Sequence, residues 1–165
     1  MIGTMHKSKD DFTQKKHDVC IAFNYDAYRF SLAKKYIDDE SLDVASVRHE
    51  LDSKLRCTTT LVPRINDILK YYDFLERDCY SSFIVTTREH LNCLIPERFY
   101  GVFNSYTVGF IPVECNPSKS WIKSEELKKF SYVESKDELV SKVKMLKSSK
   151  SFYDSIIKMQ REEIA

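Results

Sequence analysis

Residues 18–47 hold the tightest constraint on the fold. An apolar, β-rich run, DVCIAFN (Asp18–Asn24), is followed by AYRFSLAKKYIDD, in which Phe30, Ala33 and Ile37 recur at helical spacing. A second short apolar run, LDVASV (Leu42–Val47), comes next. A strand, a helix and a strand in this order are expected to form a parallel pair joined by a right-handed crossover. The alternation continues. Pro63 stands where a helix would begin, and Ile65, Ile68, Leu69, Tyr72 and Leu75 form one apolar stripe, which predicts a helix from Pro63 to about Arg77. SFIVT (Ser82–Thr86) reads as a buried strand, Pro96 as the opening of a helix reaching about Tyr106, and GFIPVE (Gly109–Glu114) as a strand whose proline suggests an edge or a strand end. Lys119–Lys129 reads as a short charged helix and Ser131–Val133 as a last short strand. Ser135 and Glu138 have the spacing of a capping box ahead of Leu139, Val143 and Leu146, and Phe152, Ile156, Ile157 and Ile164 mark a terminal helix. The stretch Glu50–Leu61 is ambiguous.

These elements predict an α/β, Rossmann-like three-layer sandwich with a mostly parallel sheet. Composition agrees: with 3 Gly and 4 Pro in 165 residues, the many tight hairpins of an all-β fold have too few turn residues. No repeat or linker divides the chain, so one domain is expected over residues 17–165. The mixed-charge stretch 1–16 shows no period and is expected to be a poorly ordered lead-in. The 5 Cys are odd in number and widely spaced, which fits reduced thiols better than a disulfide framework or a CxxC site. No apolar run is long enough for a signal peptide or a membrane span, and a cytoplasmic protein is expected. Lys and Arg (26) nearly balance Asp and Glu (25), so any site for an anion must be local.

In a parallel sheet, ligands bind beyond the carboxyl ends of the strands. The corresponding stretches are Asn24–Arg29, Thr87–Arg98 and Glu114–Ser118. Arg98 falls in the first turn of the helix opened by Pro96, where the macrodipole disfavours a cation by about 0.3–1 kcal/mol, and a bound phosphate would reverse that preference. Arg29, one turn into the first helix, repeats the arrangement. The competing reading is an Arg98 satisfied by Glu97 or solvent and an Arg29 that is a surface charge. His90, in the loop before Pro96, is a candidate ligand contact, while His6, His17 and His49 form no metal-ligand set with it. GxGxxG, GxxxxGK[ST] and nucleophile-elbow patterns are absent, so dinucleotide, P-loop and hydrolase chemistry have no support. The Lys-rich stretch Lys119–Lys150 is interleaved with acids at helical spacing and reads as a solvated helix face.

The segments IPERFYGVFNSYTVGFIPVE (Ile95–Glu114), SYVESKDELVSKVKMLK (Ser131–Lys147) and SKSFYDSIIKMQREEI (Ser149–Ile164), together with the opening strand and helix, resemble the C-terminal, nucleotide-sugar-binding half of the phage DNA β-glucosyltransferases. The resemblance is scattered but collinear over most of the chain after Asp18. It implies one half of a two-domain GT-B fold and, as ligand, a UDP-sugar whose glucose is transferred to hydroxymethylcytosine in DNA. By this resemblance Arg98 holds the diphosphate, and Arg29 does too if the first loop is one residue shorter here. The backbone of Val62 and Pro63 borders the uracil, and Asn24 and Tyr25 lie beside the phosphates. The family's ribose-binding glutamate, three residues after the arginine, falls on Gly101, and its small first-loop glycines fall on Ala22 and Phe23. The family's catalytic base and most of its DNA surface belong to the other half. Transfer is therefore expected to need an acceptor-domain partner or a homo-oligomer, with DNA reached only through a partner. No cofactor, metal or membrane is expected. The alternatives are a non-catalytic protein that binds or sequesters a nucleotide-like ligand, and a structural or interaction role with a decayed pocket.

Overall fold

Every residue of the first strand, β1 (His17–Ile21), is buried, as a strand at the centre of a sheet covered on both faces requires. The structure, a computed structural model, describes residues 12–22, 27–62, 65, 67–85, 97–115 and 120–165. After β1 come α1 (Ala27–Ile37), β2 (Asp43–Val47), β3 (Thr58–Val62), α2 (Ile68–Asp78), β4 (Cys79–Phe83) and α3 (Glu97–Asn104). The chain continues through β5 (Val108–Pro112), a 3-10 turn (Val113–Cys115), α4 (Glu125–Ser131), β6 (Tyr132–Val133), α5 (Lys136–Ser148) and α6 (Lys150–Ile164). The six described strands form a sheet of order β3-β2-β1-β4-β5-β6 in which every neighbouring pair is parallel. The fold is the α/β, Rossmann-like sandwich expected from the alternation. Its connections run outward from β1 to β3, then cross back to β4 and run the other way, so the direction reverses between β1 and β4.

Edge and centre differ as the residues dictate. The threonines of β3 are exposed because that strand closes one edge, whereas β5 is buried throughout and ends at Pro112, as expected of a proline at a strand end. Gly109 allows close packing within β5, since a Cβ there would come within 2.8 Å of Ile84 and Phe103 side-chain atoms. Across β5 lies Gln160 of α6, wholly buried. Its amide accepts from the Gly109 N–H at 2.9 Å and donates to the Thr107 carbonyl at 3.0 Å. Phe99 and Phe103 of α3 stack at 4.3 Å between centroids, with Trp121 edge-on to Phe99. Ser135 caps α5 by accepting from the Glu138 N–H, and Glu138 returns a bond to the N–H of Glu134, one residue earlier than a capping box would place it. Cys20, Cys57 and Cys79 are buried free thiols, and Cys115 is buried as well.

Several boundaries move. The unassigned stretch contains β3. Helix α2 starts at Ile68 with Asp67 as N-cap, not at Pro63, which lies outside the described residues. Its buried face is therefore Tyr71, Phe74 and Leu75, while Ile68 and Leu69, read as part of the stripe, are exposed. The strand expected at Ser82–Thr86 is centred earlier, at Cys79–Phe83. The charged helix occupies Glu125–Ser131 rather than Lys119–Lys129, because Ser124 supplies the N-cap. Within the expected lead-in, residues 12–14 are helical and Phe12 is buried edge-on to Tyr80 and Tyr153.

Candidate functional site

Beyond the carboxyl ends of β1 and β2, at the reversal of strand order, lies a pocket of about 140 Å³. Its described lining is Ala22, Val47, Arg48, Ile65, Ile68, Tyr71 and Arg98. Four elements converge on it: the end of β1, the end of β2, the start of α2 and the start of α3. Arg98 is half-buried in the first turn of α3, with its Cζ 5.8 Å from the centroid of the Tyr71 ring. A guanidinium over an aromatic face is attracted by the ring quadrupole, and this holds the side chain at the helix N-terminus, where α3 favours negative charge.

Tyr71 forms the floor. The residue is 8% exposed, and its buried hydroxyl makes no hydrogen bond of good geometry, only a looser interaction with the Ser82 side chain. Burial pushes the phenol well above its ordinary pKa and Cys20 adds to this, while the Arg98 charge pulls the other way. Arg48, an exposed residue, also contributes to the lining. Its φ of 80° is the one left-handed value among the described non-glycine residues. The Arg48 N–H donates to the Val62 carbonyl at 3.0 Å, tying the exit of β2 to the end of β3.

Of the residues singled out in the sequence, Arg98 lines this pocket; Val62 does not, although its carbonyl accepts from the N–H of Arg48, which does. Arg29 is half-buried in the first turn of α1 and does not line it. Asn24, Tyr25, Pro63 and His90 lie outside the described residues. Glu114, just past β5, is engaged by the fold itself: its carboxylate accepts from Lys35 at 2.6 Å and from the Tyr36 hydroxyl at 2.5 Å. Burial works against its ionisation, yet these hydrogen bonds hold its pKa below the ordinary glutamate value. At Gly101 a Cβ would lie 2.0 Å from the Tyr72 ring, so Tyr72 fills the space that a side chain at 101 would use.

Sequence reasoning missed Arg48 and Tyr71. The first was readable, since it directly follows a strand and the rule that directed attention to strand exits applies to β2 as well. Tyr71 was hidden by the early start assigned to α2, which put Tyr72 on the buried face instead. Larger depressions lie elsewhere. One of about 400 Å³ against α6 is flanked by Asp154, Lys158, Arg161 and Glu162, and another of about 410 Å³ beside α1 by Lys34, Glu50 and Asp52. Both mix charges of either sign and focus no field on a ligand. Among the described residues no group of three or more His, Cys, Asp or Glu could hold a metal ion, and no described helix is long and apolar enough to cross a membrane.

No protein-family model and no curated protein sequence matches the chain significantly. Solved structures do. The DNA-modifying enzyme β-glucosyltransferase, determined in the presence and absence of its substrate uridine diphosphoglucose, is similar with a TM-score of 0.73 at 17% identity, over 92% of this chain and 46% of that one. T4 phage β-glucosyltransferase with UDP-glucose gives 0.73 at 18% identity, and with UDP and Mn2+ 0.74 at 17%, each over 92% of this chain and 44% of the enzyme. The chain spans less than half the length of these enzymes. It therefore shares the Rossmann-like fold of one half of a GT-B glucosyltransferase, the half-fold that the sequence resemblance implied.

Proposed function

We propose that this chain is the nucleotide-sugar-binding part of a glycosyltransferase, taking a UDP-sugar at the carboxyl ends of its strands. The observation that carries the reading is the placement of Arg98. An arginine in the first turn of a helix, stacked on Tyr71 and lining a pocket at the strand-order reversal, has the geometry of a diphosphate anchor. Arg29, on the neighbouring helix start after β1, is the second proposed phosphate contact. Asn24, Tyr25, Val62, Pro63 and His90 are proposed nucleotide contacts. The similar enzymes bind UDP-glucose, which supports the ligand class.

The chain's own groups bind and orient. The amides and guanidinium at the start of α3 would neutralise the diphosphate and so stabilise it as a leaving group. Deprotonating an acceptor hydroxyl needs a general base, and that base and the DNA contacts are assigned to a partner domain or a second copy acting in the cytoplasm. A second reading, non-catalytic nucleotide binding, draws on Gly101: a ring covers the place where the resembling family carries its ribose carboxylate.

Calorimetry with UDP and UDP-glucose tests the anchor. Arg98→Ala removes a charge-assisted contact worth roughly 1.5–3 kcal/mol, so affinity should fall on the order of ten- to hundredfold with little change in melting temperature. An unchanged dissociation constant would remove Arg98 from the site. Glucose transfer to hydroxymethylated DNA by the pure chain alone would show that it carries its own base.

A further inference from the structure

We propose that β3 is a docking edge for a second copy of this chain, pairing antiparallel with its counterpart about a two-fold axis at Thr60 and joining the two six-stranded sheets into one. The strand lies outside the lining of the pocket, so the inference stands apart from the nucleotide-sugar reading. It starts from a difference between the two edges of the sheet. At one edge β6 is two residues long and largely buried, and so short a strand offers little to pair with. At the other, β3 is five residues long, TTTLV, with its first four residues exposed. It carries no charge, proline or bulge, the devices by which proteins ordinarily keep an edge strand single.

Both faces of β3 are open as well. The connection from β2, residues 48–57, contains no helix, and Thr58 and Thr60 stay exposed. On the other face, the register of Val19 with Val44 and of Val44 with Thr59 puts Thr59 and Leu61 on the side of α2, because His17 of β1 packs its ring against Phe74 of that helix. Leu61 is 46% exposed there, and Ile68 and Leu69 at the start of α2 are 53% and 71% exposed. Three of the six exposed large apolar residues among those described thus gather at the end of β3 and the helix start that follows it, a concentration that an interface explains.

The register follows from the backbone. The Thr58 N–H donates to the Leu42 carbonyl and the Val62 carbonyl accepts from the Arg48 N–H, so Thr58, Thr60 and Val62 turn their amides and carbonyls toward β2. Thr59 and Leu61 turn theirs outward. In an antiparallel pair each outward residue exchanges two hydrogen bonds with the one opposite it, so Thr59 of one copy meets Leu61 of the other and the reverse, about four backbone bonds in all. Only the register centred on Thr60 overlaps the two strands over their whole length. It sets Thr60 against Thr60 and Thr58 against Val62 on one face, and Thr59 against Leu61 on the other, pairings that suit β-branched and apolar side chains. With no charge in the strand, self-pairing opposes no like charges.

The test is sedimentation velocity of the full chain over a concentration series. The interface is small and built on one strand, so a reversible dimer is expected to form on the order of 10–100 µM. Leu61→Lys puts a charge on the open edge, and Thr59→Pro removes one outward donor while leaving the bonds to β2 intact. Each should leave a monomer at every concentration, with the circular dichroism of the wild type. Met145→Lys, at an exposed apolar residue of α5, should keep the dimer. The two-fold axis adds a sharper readout, because opposed residues of a non-hydrogen-bonded pair stand about 4.5 Å apart between Cα atoms, within disulfide range. Oxidised glutathione should therefore link Thr60→Cys into a covalent dimer, two thiols becoming one disulfide as the glutathione is reduced, beyond the background of the wild-type thiols. Thr58→Cys, opposite Val62, should not cross-link. A wild type that stays monomeric throughout the series overturns the proposal, as does a dimer that persists in both Leu61→Lys and Thr59→Pro. Cross-linking at position 58 and not at 60 overturns the axis at Thr60.

Discussion

The two ends of the sheet are built on opposite principles. At the amino ends, buried charges are enclosed by partners. The Lys15 ammonium, 7% exposed, donates to the carbonyls of Leu75 at 3.2 Å, Cys79 at 2.9 Å and Tyr106 at 2.8 Å, and also to Glu76. It neutralises the C-terminus of α2, where unpaired carbonyls and the negative pole of the helix coincide. Lys142 does the same for α4, donating to the carbonyls of Lys129, Phe130 and Tyr132 at 2.7–3.0 Å. Asp18 accepts from the Asp43 N–H and pairs with Lys147 at 2.9 Å, while His17 Nδ1 lies 2.7 Å from Asp43. The one described exception is the buried hydroxyl of Ser131, which has no partner. At the carboxyl ends the buried Tyr71 hydroxyl has only a loose interaction with Ser82 beneath Arg98, and Arg48 holds a strained backbone. The amino ends commit their buried charges to the fold, whereas the pocket beyond β1 and β2 carries the polar groups proposed above for a ligand.

The largest expected effect comes from breaking the enclosed end. Lys15→Met retains the aliphatic length of the side chain but strands the buried carbonyls it served, so unfolding free energy should fall by roughly 3 kcal/mol. Urea denaturation reads this directly; a loss below about 1 kcal/mol would mean that water takes over the carbonyls and that the amino end is wetter than its burial implies. The opposite sign is expected at the site. Tyr71→Phe removes a buried hydroxyl whose one interaction within the fold, with Ser82, is loose, so stability should rise by about 1 kcal/mol while affinity for UDP declines. A destabilised Tyr71→Phe would show that the hydroxyl is part of the fold's own bonding, and the contrast between the ends would collapse.

That contrast explains what could be read in advance. Parallel order followed from apolar runs alternating with helical stripes, because a strand buried on both faces must be largely apolar, as β5 is throughout and β1 is beyond His17 and Asp18. Strand β3 escaped because TTTLV lies at an edge, exposed, where burial imposes no apolar pattern. The onset of α2 was misplaced because proline marks a favourable first turn without guaranteeing one, whereas Asp67 supplies an actual cap by accepting from the Leu69 N–H. Arg98 was legible from its place in a first turn. Lys15 was not: nothing local distinguishes a lysine that will reach carbonyls 60 to 91 positions away from one bound for solvent. The same holds for Tyr72, which covers Gly101 only after α2 and α3 have packed together.

The smallest expected effect concerns pH and tests the start of α5, where the Lys142 clamp meets a carboxylate just past the carboxyl end of β6. Glu138 sits in the first turn of α5, where its carboxylate accepts from the Glu134 N–H and pairs with Lys142 at 2.9 Å. Burial opposes its charge, but the backbone hydrogen bond and Lys142 outweigh it and hold its pKa below the ordinary 4.5. A carboxyl group whose folded pKa is depressed binds its proton more readily in the unfolded chain. Its contribution is therefore complete above the unfolded value and is lost as pH falls through the folded one. Glu138→Gln should lower the melting temperature slightly at neutral pH and flatten its decline below about pH 4.5 relative to wild type. The effect stays small because the carboxylate is partly exposed, and because Lys142 keeps its three carbonyl partners when Glu138 is neutral. An acid limb identical to that of the wild type would show that the carbonyl clamp alone holds Lys142 and that the adjacent carboxylate adds nothing to it.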